Sequence, residues 1–222
     1  MTIRKQIITI ILLLLCDLSS PVVAQGQSVE EQSRAYNKEG ASLLAQGKTA
    51  EAAEQFRKSI KIYPQGAAAH NNLALVLKEM GQFAEAESEA RQAIKIRADK
   101  ANYYFNLGLI LQHERNLSEA ENNFRSSLKL EPMDPETHFR LAQVLFAETK
   151  PADSEAEVKM AILLKPNEPG YHRLLADNLL QEKKHDAALC EYRTTVELNP
   201  QGPDAGDIRN KIDYLKQVLN LH

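Results

Sequence analysis

The side chains best able to do chemistry in this sequence are six histidines, His70, His113, His138, His172, His185 and His222, and two thiols, Cys16 and Cys190. A metal centre needs three or four such ligands converging on one ion. The spacing argues against that, because His138 and His172 stand 34 residues apart and His70 precedes His138 by twice that interval. Such regularity places the three at equivalent points of a repeating element, too far apart for shared ligation, and predicts a packing role. No HExxH, CxxC, GxSxG or glycine-rich phosphate loop occurs. Cys190 has His185 five residues upstream on the same element and is expected to be an ordinary buried or half-buried thiol. No catalytic set, metal, cofactor or small-molecule substrate is therefore expected.

The same interval organises the elements that would position these residues. Blocks starting at Ser33, Ala67, Ala101, Pro135 and Pro169 carry Gly40, Ala74, Gly108, Ala142 and Ala176 at position 8, and Leu43, Leu77, Leu111, Leu145 and Leu179 at position 11. In the second half of each block, position 20 is Ala52, Ala86, Ala120, Ser154 and Ala188, and position 24 is Phe56, Ala90, Phe124, Val158 and Tyr192. Apolar residues at this spacing predict two amphipathic helices per block, which small residues at positions 8 and 20 allow to approach closely. Pro64, Pro132, Pro166 and Pro200 end one hairpin before the next begins, whereas Ala98 stands where the second block would have proline. The fourth block, with Ser154 for alanine and a Thr149-Lys150-Pro151 turn lacking glycine, is expected to be the least regular.

These residues resemble the tetratricopeptide repeat (TPR) family over 33–202. The resemblance implies an all-α fold, a right-handed α-α superhelix of five hairpins: 33–66, 67–100, 101–134, 135–168 and 169–202. It also implies a concave face of first helices that binds extended peptides or partner helices through positions 2, 5, 6, 9, 12 and 13. Position 6 reads Lys38, Asn72, Asn106, Arg140 and then Leu174, and its two asparagines resemble the start of a ladder that hydrogen-bonds a bound peptide backbone. Phe105, Leu109, Phe139 and Phe146 are expected to face the same groove, with the alternative that the phenylalanines tuck under the neighbouring repeat as core. Gln143, Arg173, Asp177 and Gln181 would make the far end polar and mixed in charge. The family's two-carboxylate clamp is absent: from the first block only Asn72 matches its pattern, and from the second only Asn106 and Arg140.

The rest of the chain bears on location and partners. In residues 1–24, Arg4 and Lys5 precede an apolar run from Ile7 to Cys16, and Val22-Val23-Ala24 offers small residues before Gln25, the layout of a cleaved secretory signal. The run is too short for a bilayer span of roughly 20 residues, so no stable transmembrane anchor is expected. The chain is then expected to be exported, to a bacterial periplasm or the outside. Residues 25–32 read as a loose polar lead-in, and 203–222 as a capping helix with Ile208, Ile212, Leu215 and Leu219 on one face. The formal charge of −3 becomes about −4 once Arg4, Lys5 and Asp17 are removed, and no basic cluster stands out, which disfavours nucleic acid. The function these features imply is a protein-interaction scaffold that takes a peptide segment or partner subunit, with assistance to envelope assembly as an analogy. The alternative is a self-assembling structural repeat protein.

Overall fold

Each block folds as a helical hairpin because its apolar residues keep helical spacing on either side of a three-residue turn. The computed structural model describes residues 28–220, so the signal reading of 1–24 lies outside the described residues. Its helices are α1 (Val29–Ala45), α2 (Thr49–Ile62), α3 (Ala67–Glu79), α4 (Phe83–Ile96), α5 (Ala101–His113), α6 (Leu117–Leu130), α7 (Pro135–Ala147), α8 (Pro151–Leu164), α9 (Pro169–Gln181), α10 (His185–Leu198) and α11 (Ala205–Val218). No strand occurs among the described residues. Each odd-numbered helix packs on the one that follows it, and each even-numbered helix on the next hairpin. Successive first helices also touch, α1 on α3 through to α7 on α9, while successive second helices stand farther apart. An inner layer closer together than the outer one makes the stack concave on the side of α1, α3, α5, α7 and α9.

The hairpin cores follow the small residues. Ala52, Ala86, Ala120, Ser154 and Ala188 are fully buried where the paired helices cross. At position 8, a Cβ on Gly40 would meet the Phe56 ring at 2.7 Å, and one on Gly108 would meet Phe124 at the same distance. Alanine occupies position 8 where position 24 is Ala90, Val158 or Tyr192 instead. Glycine thus accompanies phenylalanine because ring and helix backbone are in direct contact.

Three sequence expectations are corrected here. The lead-in is partly helical: Ser28 accepts from the Glu31 backbone N–H while Glu31 accepts from the Ser28 N–H, a reciprocal cap that starts α1 at Val29. The fourth block is as regular as its neighbours. The Ser154 hydroxyl donates to Ala142 O at 2.8 Å, and Thr149 adopts the same left-handed backbone, φ +59°, as Gly47 and Gly81 at φ +75°. Arg115 and Lys183 do so as well, at φ +60° and +61°, so the family turn is imposed by packing even without glycine. Finally, Cys190 is exposed, because position 22 of every block, from Glu54 to Ala156, faces solvent.

A threonine is a poor occupant of a left-handed backbone, which costs an L-residue about 1–2 kcal/mol and a β-branched one at the upper end. Thr149→Gly is expected to stabilise the protein by about 1 kcal/mol after glycine's own entropy cost. Urea denaturation checks this, and unchanged or lowered stability would show that the turn carries no strain.

Ion pairs tie the outer layer from repeat to repeat. Lys150 Nζ lies 2.9 Å from Glu121 and 2.8 Å from Glu148. Lys184 Nζ repeats the pattern 3.0 Å from Glu155 and 2.5 Å from Glu182. The Lys150 bond draws the Glu121 carboxyl down to about 2, and Lys159 and Lys184 do the same for Glu155 against the opposing effect of burial. At the far end α11 covers the last hairpin with Ile208, Ile212 and Leu215 buried, which leaves Tyr214 and Val218 exposed on its outer side.

Candidate functional site: the concave groove

The concave wall is built from positions 2, 5, 6, 9, 12 and 13 of the first helices, since these lie on the face turned away from the hairpin core. Two adjoining cavities open along it from the second repeat to the fifth. One of about 440 Å³ is lined by Gln112, Phe139, Gln143, Phe146, Gly170, Arg173, Leu174 and Asp177. The other, of about 360 Å³, is lined by Lys78, Phe83, Leu109, Gln112, His113 and Arg140. Gln112 belongs to both, so the two form adjoining parts of one groove across α5, α7 and α9, with Lys78 of α3 and Phe83 of α4 at its near end. Volumes of this size suit one or two large side chains each.

The floor is aromatic and the rim is polar. Phe139 lies against Tyr171, ring centroids 4.7 Å apart, and the Arg140 guanidinium stands 5.8 Å from the Phe139 centroid. Phe139 and Phe146 are half-buried, packed on the core of the last two repeats yet open to the cavity, so each reading made from sequence describes part of each ring. Burial pushes the Tyr171 phenol up to about 12. Arg140 is oriented by Glu136 at 2.7 Å and Gln143 at 3.2 Å. Arg173 pairs with Asp204 across the junction with the cap.

The asparagines are placed differently from expectation. Asn72 Nδ2 donates to Asn37 Oδ1 at 3.0 Å, and Asn106 Nδ2 donates to Asn71 Oδ1 at 2.8 Å. Asn106 and Asn71 are 7% and 3% exposed. These amides pin one first helix to the next because inner-layer helices approach closely there, and a buried amide with a partner cannot turn to a ligand without leaving that partner unpaired. Asn72 remains half-buried, and Lys38 is exposed on α1. Phe105 leans on Phe124, centroids 5.8 Å apart, and packs on the core of the first hairpins. Asp177 accepts from the Tyr192 hydroxyl at 2.5 Å and from Lys211 at 3.0 Å, which commits it to anchoring α10 and α11 as well as lining the cavity.

Phe139, Gln143, Phe146, Arg173 and Asp177 therefore line one cavity and Leu109 and Arg140 the other, while Lys38, Asn72, Phe105 and Asn106 line neither. Gln112, Lys78, Gly170 and His113 were not singled out from sequence, although they occupy repeat positions 12, 12, 2 and 13, which the resemblance marks as concave. Phe83 opens α4 and reaches the groove by stacking on His113 at 4.0 Å, a contact no position rule of first helices contains. No group of three or more His, Cys, Asp or Glu among the described residues is placed to hold a metal ion. No helix among them is long and apolar enough to cross a membrane.

Comparison with known proteins follows the same lines. No curated protein matches the chain. Among solved structures it is similar to that reported under functional characterization of Pseudomonas aeruginosa pilF, at 23% identity over 86% of this chain and 91% of that one, with a TM-score of 0.72. MamA from Desulfovibrio magneticus RS-1 superposes with a TM-score of 0.73 at 15% identity, over 79% of this chain and 99% of that one. YrrB, described as a TPR protein with an unusual peptide-binding site, gives 0.69 at 14% identity, over 79% and 90%. At these identities the likeness is one of fold. The sequence model of the tetratricopeptide repeat matches residues 43–107 and 111–177, more than half of the chain. With hairpins repeating every 34 residues and an inner layer of first helices, the chain belongs to the tetratricopeptide repeat family.

Proposed function

We propose that this protein is a non-enzymatic scaffold that holds a peptide segment or a partner subunit in the groove across α5, α7 and α9. The observation that carries this reading is the pair of adjoining cavities with an aromatic floor, Phe139 and Phe146, and amide side chains, Gln112 and Gln143, at the rim. Half-exposed rings give a ligand side chain apolar area to bury, and the amides offer donors and acceptors to a peptide backbone of any sequence. The binding mode fits extended segments or helices rather than nucleic acid or a small substrate. The likeness to YrrB, described as peptide-binding, supports the same reading. Residues 1–24 support export, and with it a role in assembling envelope complexes; mass spectrometry of the isolated protein would find Gln25 as its first residue, and an intact Met1 in the envelope fraction would refute cleavage.

Capture by cross-linking from envelope extract tests the groove. The parent is compared with Gln112→Ala/Gln143→Ala, which spares the core, and with Phe139→Ala/Phe146→Ala, checked for unchanged helicity. A partner held by the parent is expected to be lost tenfold or more by the aromatic variant and weakened by the amide one, in line with hot-spot losses of about 2 kcal/mol. Equal capture by all three would refute groove binding.

Self-assembly is favoured by one observation. Position 29 of the first three repeats is Lys61, Lys95 and Lys129, but the fourth carries Leu163, 73% exposed, beside Met160 on the outer face of α8. Light scattering that shows a multimer in the parent and a monomer in Leu163→Lys would support that reading; monomers in both would dispose of it.

A further inference from the structure

Three of the five repeats carry an arrangement that the groove does not use. His70 Nδ1 lies 2.5 Å from Glu89 Oε2 and its Nε2 lies 2.9 Å from Pro64 O. His138 sits in the same way between Glu157 at 2.7 Å and Pro132 O at 3.0 Å, and His172 between Glu191 at 2.7 Å and Pro166 O at 2.8 Å. The rings are buried, at 6%, 8% and 9% exposure. The glutamate belongs to the second helix of the same hairpin, and the carbonyl to the turn that ends the preceding one.

The two other repeats show that the three parts go together. Where position 4 is Tyr36 or Tyr104, position 23 is Gln55 or Asn123 instead of glutamate, and Ala98 replaces proline before Tyr104. A proline carbonyl only accepts, so Nε2 must carry a proton for that bond; a carboxylate only accepts, so Nδ1 must carry one too. Both contacts coexist on an imidazolium beside a carboxylate, or on a neutral ring beside a protonated glutamic acid. Either state holds one proton more than a neutral ring beside a carboxylate.

We infer that the His70 and His138 sets are protonation-dependent joints between successive repeats, closed while the pair holds its extra proton and released at the proline carbonyl when it is lost. After that loss the one remaining ring proton stays on Nδ1, because a hydrogen bond to a charged glutamate is about twice as strong as one to a neutral carbonyl. The Nε2 lone pair then faces the proline oxygen, and the tie to the preceding repeat goes. The charged groups facing the rings are Glu89 on α4 for His70, Glu157 on α8 with Asp134 at the start of α7 for His138, and Glu191 on α10 for His172. Burial lowers the His70 value, but the bonds to Glu89 and Pro64 and the Glu89 charge outweigh it, and the net direction is up. The Glu157 bond raises His138 against burial. A raised folded value means that the stabilisation is complete below about pH 6.5, the unfolded histidine value, and is lost as pH rises through the folded one. The cap junction provides an internal contrast, since Arg209 Nη2 donates to Pro200 O at 2.7 Å with a cation that does not titrate.

Histidine-detected NMR titration together with urea unfolding between pH 5.5 and 8.5 tests the joints on the full chain. His70 and His138 are expected to stay doubly protonated above pH 6.5. The unfolding equilibrium should move toward the unfolded state with rising pH, about tenfold for each unit by which a ring is raised. In Glu89→Gln/Glu157→Gln the amide donates to a neutral Nδ1, the proline bond is kept, and the profile should be flatter than the parent's over that range. The single variant Glu157→Gln, with its effect confined to His138, serves if the double one does not fold. Identical pH profiles for parent and variants, or rings that titrate at or below pH 6.5, would overturn the inference.

Discussion

Phe124→Ala is expected to lower the unfolding free energy by about 3–5 kcal/mol, the range for removing a fully buried aromatic ring. The ring lies at 0% exposure between α5 and α6, directly on the backbone of Gly108. It also sits in the third of five hairpins, and stability in a repeat array depends on nearest-neighbour contacts. Weakening the middle is therefore expected to split the urea transition into two steps rather than shift it as a whole. Gly108→Ala decides between two opposed effects. Replacing a glycine inside a helix gains about 0.5–1 kcal/mol, but a Cβ at 2.7 Å from a closely packed ring costs about 1–3 kcal/mol in overpacking. The variant should be destabilised on balance. With Phe124→Ala present the clash is gone, as in the second repeat where Ala74 faces Ala90, so the double variant should be more stable than Phe124→Ala alone. Additive losses would show that position 8 and position 24 are not matched by contact.

Asp177→Ala should cost about 1–3 kcal/mol, because it removes the acceptor of a buried hydroxyl and of a lysine at once. Burial and the Asp177 bond both push the Tyr192 phenol up, so its hydroxyl stays protonated and is left without an acceptor. Lys211 loses the carboxylate that ties α11 to α9. Hydrogen exchange should therefore speed up in α10 and α11 first, with α1 to α6 unchanged. Uniform protection across the chain would mean that the cap is held by its apolar face alone. Because Asp177 serves the cap, a loss of partner binding in this variant would not by itself locate the partner, which is why Gln112 and Gln143 are the better probes.

Periodicity made the hairpins legible. Gly40, Leu43, Ala52 and Phe56 and their equivalents report which faces must touch, and that information repeats five times in the chain. The turn at Thr149 is not legible in the same way: glycine there reports a left-handed backbone, but its absence does not report another geometry, since the flanking helices enforce φ +59° regardless. The start of α1 was legible in Ser28 and Glu31 as a capping pair but lies outside the repeat frame. The groove was readable only in part. Position alone puts Phe139, Gln143 and Phe146 on the concave side, and the structure brings them together. Whether an amide there is free depends on the distance between neighbouring first helices. Their position presents Asn72 and Asn106 as donors to a ligand, yet each bonds an asparagine 35 residues earlier, a pairing set by three-dimensional approach rather than by spacing along one helix. Position 4 shows the same limit, since its histidines could be assigned to packing from sequence, but the two acceptors that flank each ring come from two different hairpins.

Hydrogen–deuterium exchange on the captured complex tests groove binding most directly. Binding in the groove should slow exchange in α5, α7 and α9, most of all around Gln112, Phe139 to Phe146 and Gly170 to Leu174, and leave the outer faces of α6 and α8 unchanged. Protection centred on Met160 and Leu163, with the inner helices unaffected, would contradict it and move recognition to the convex side.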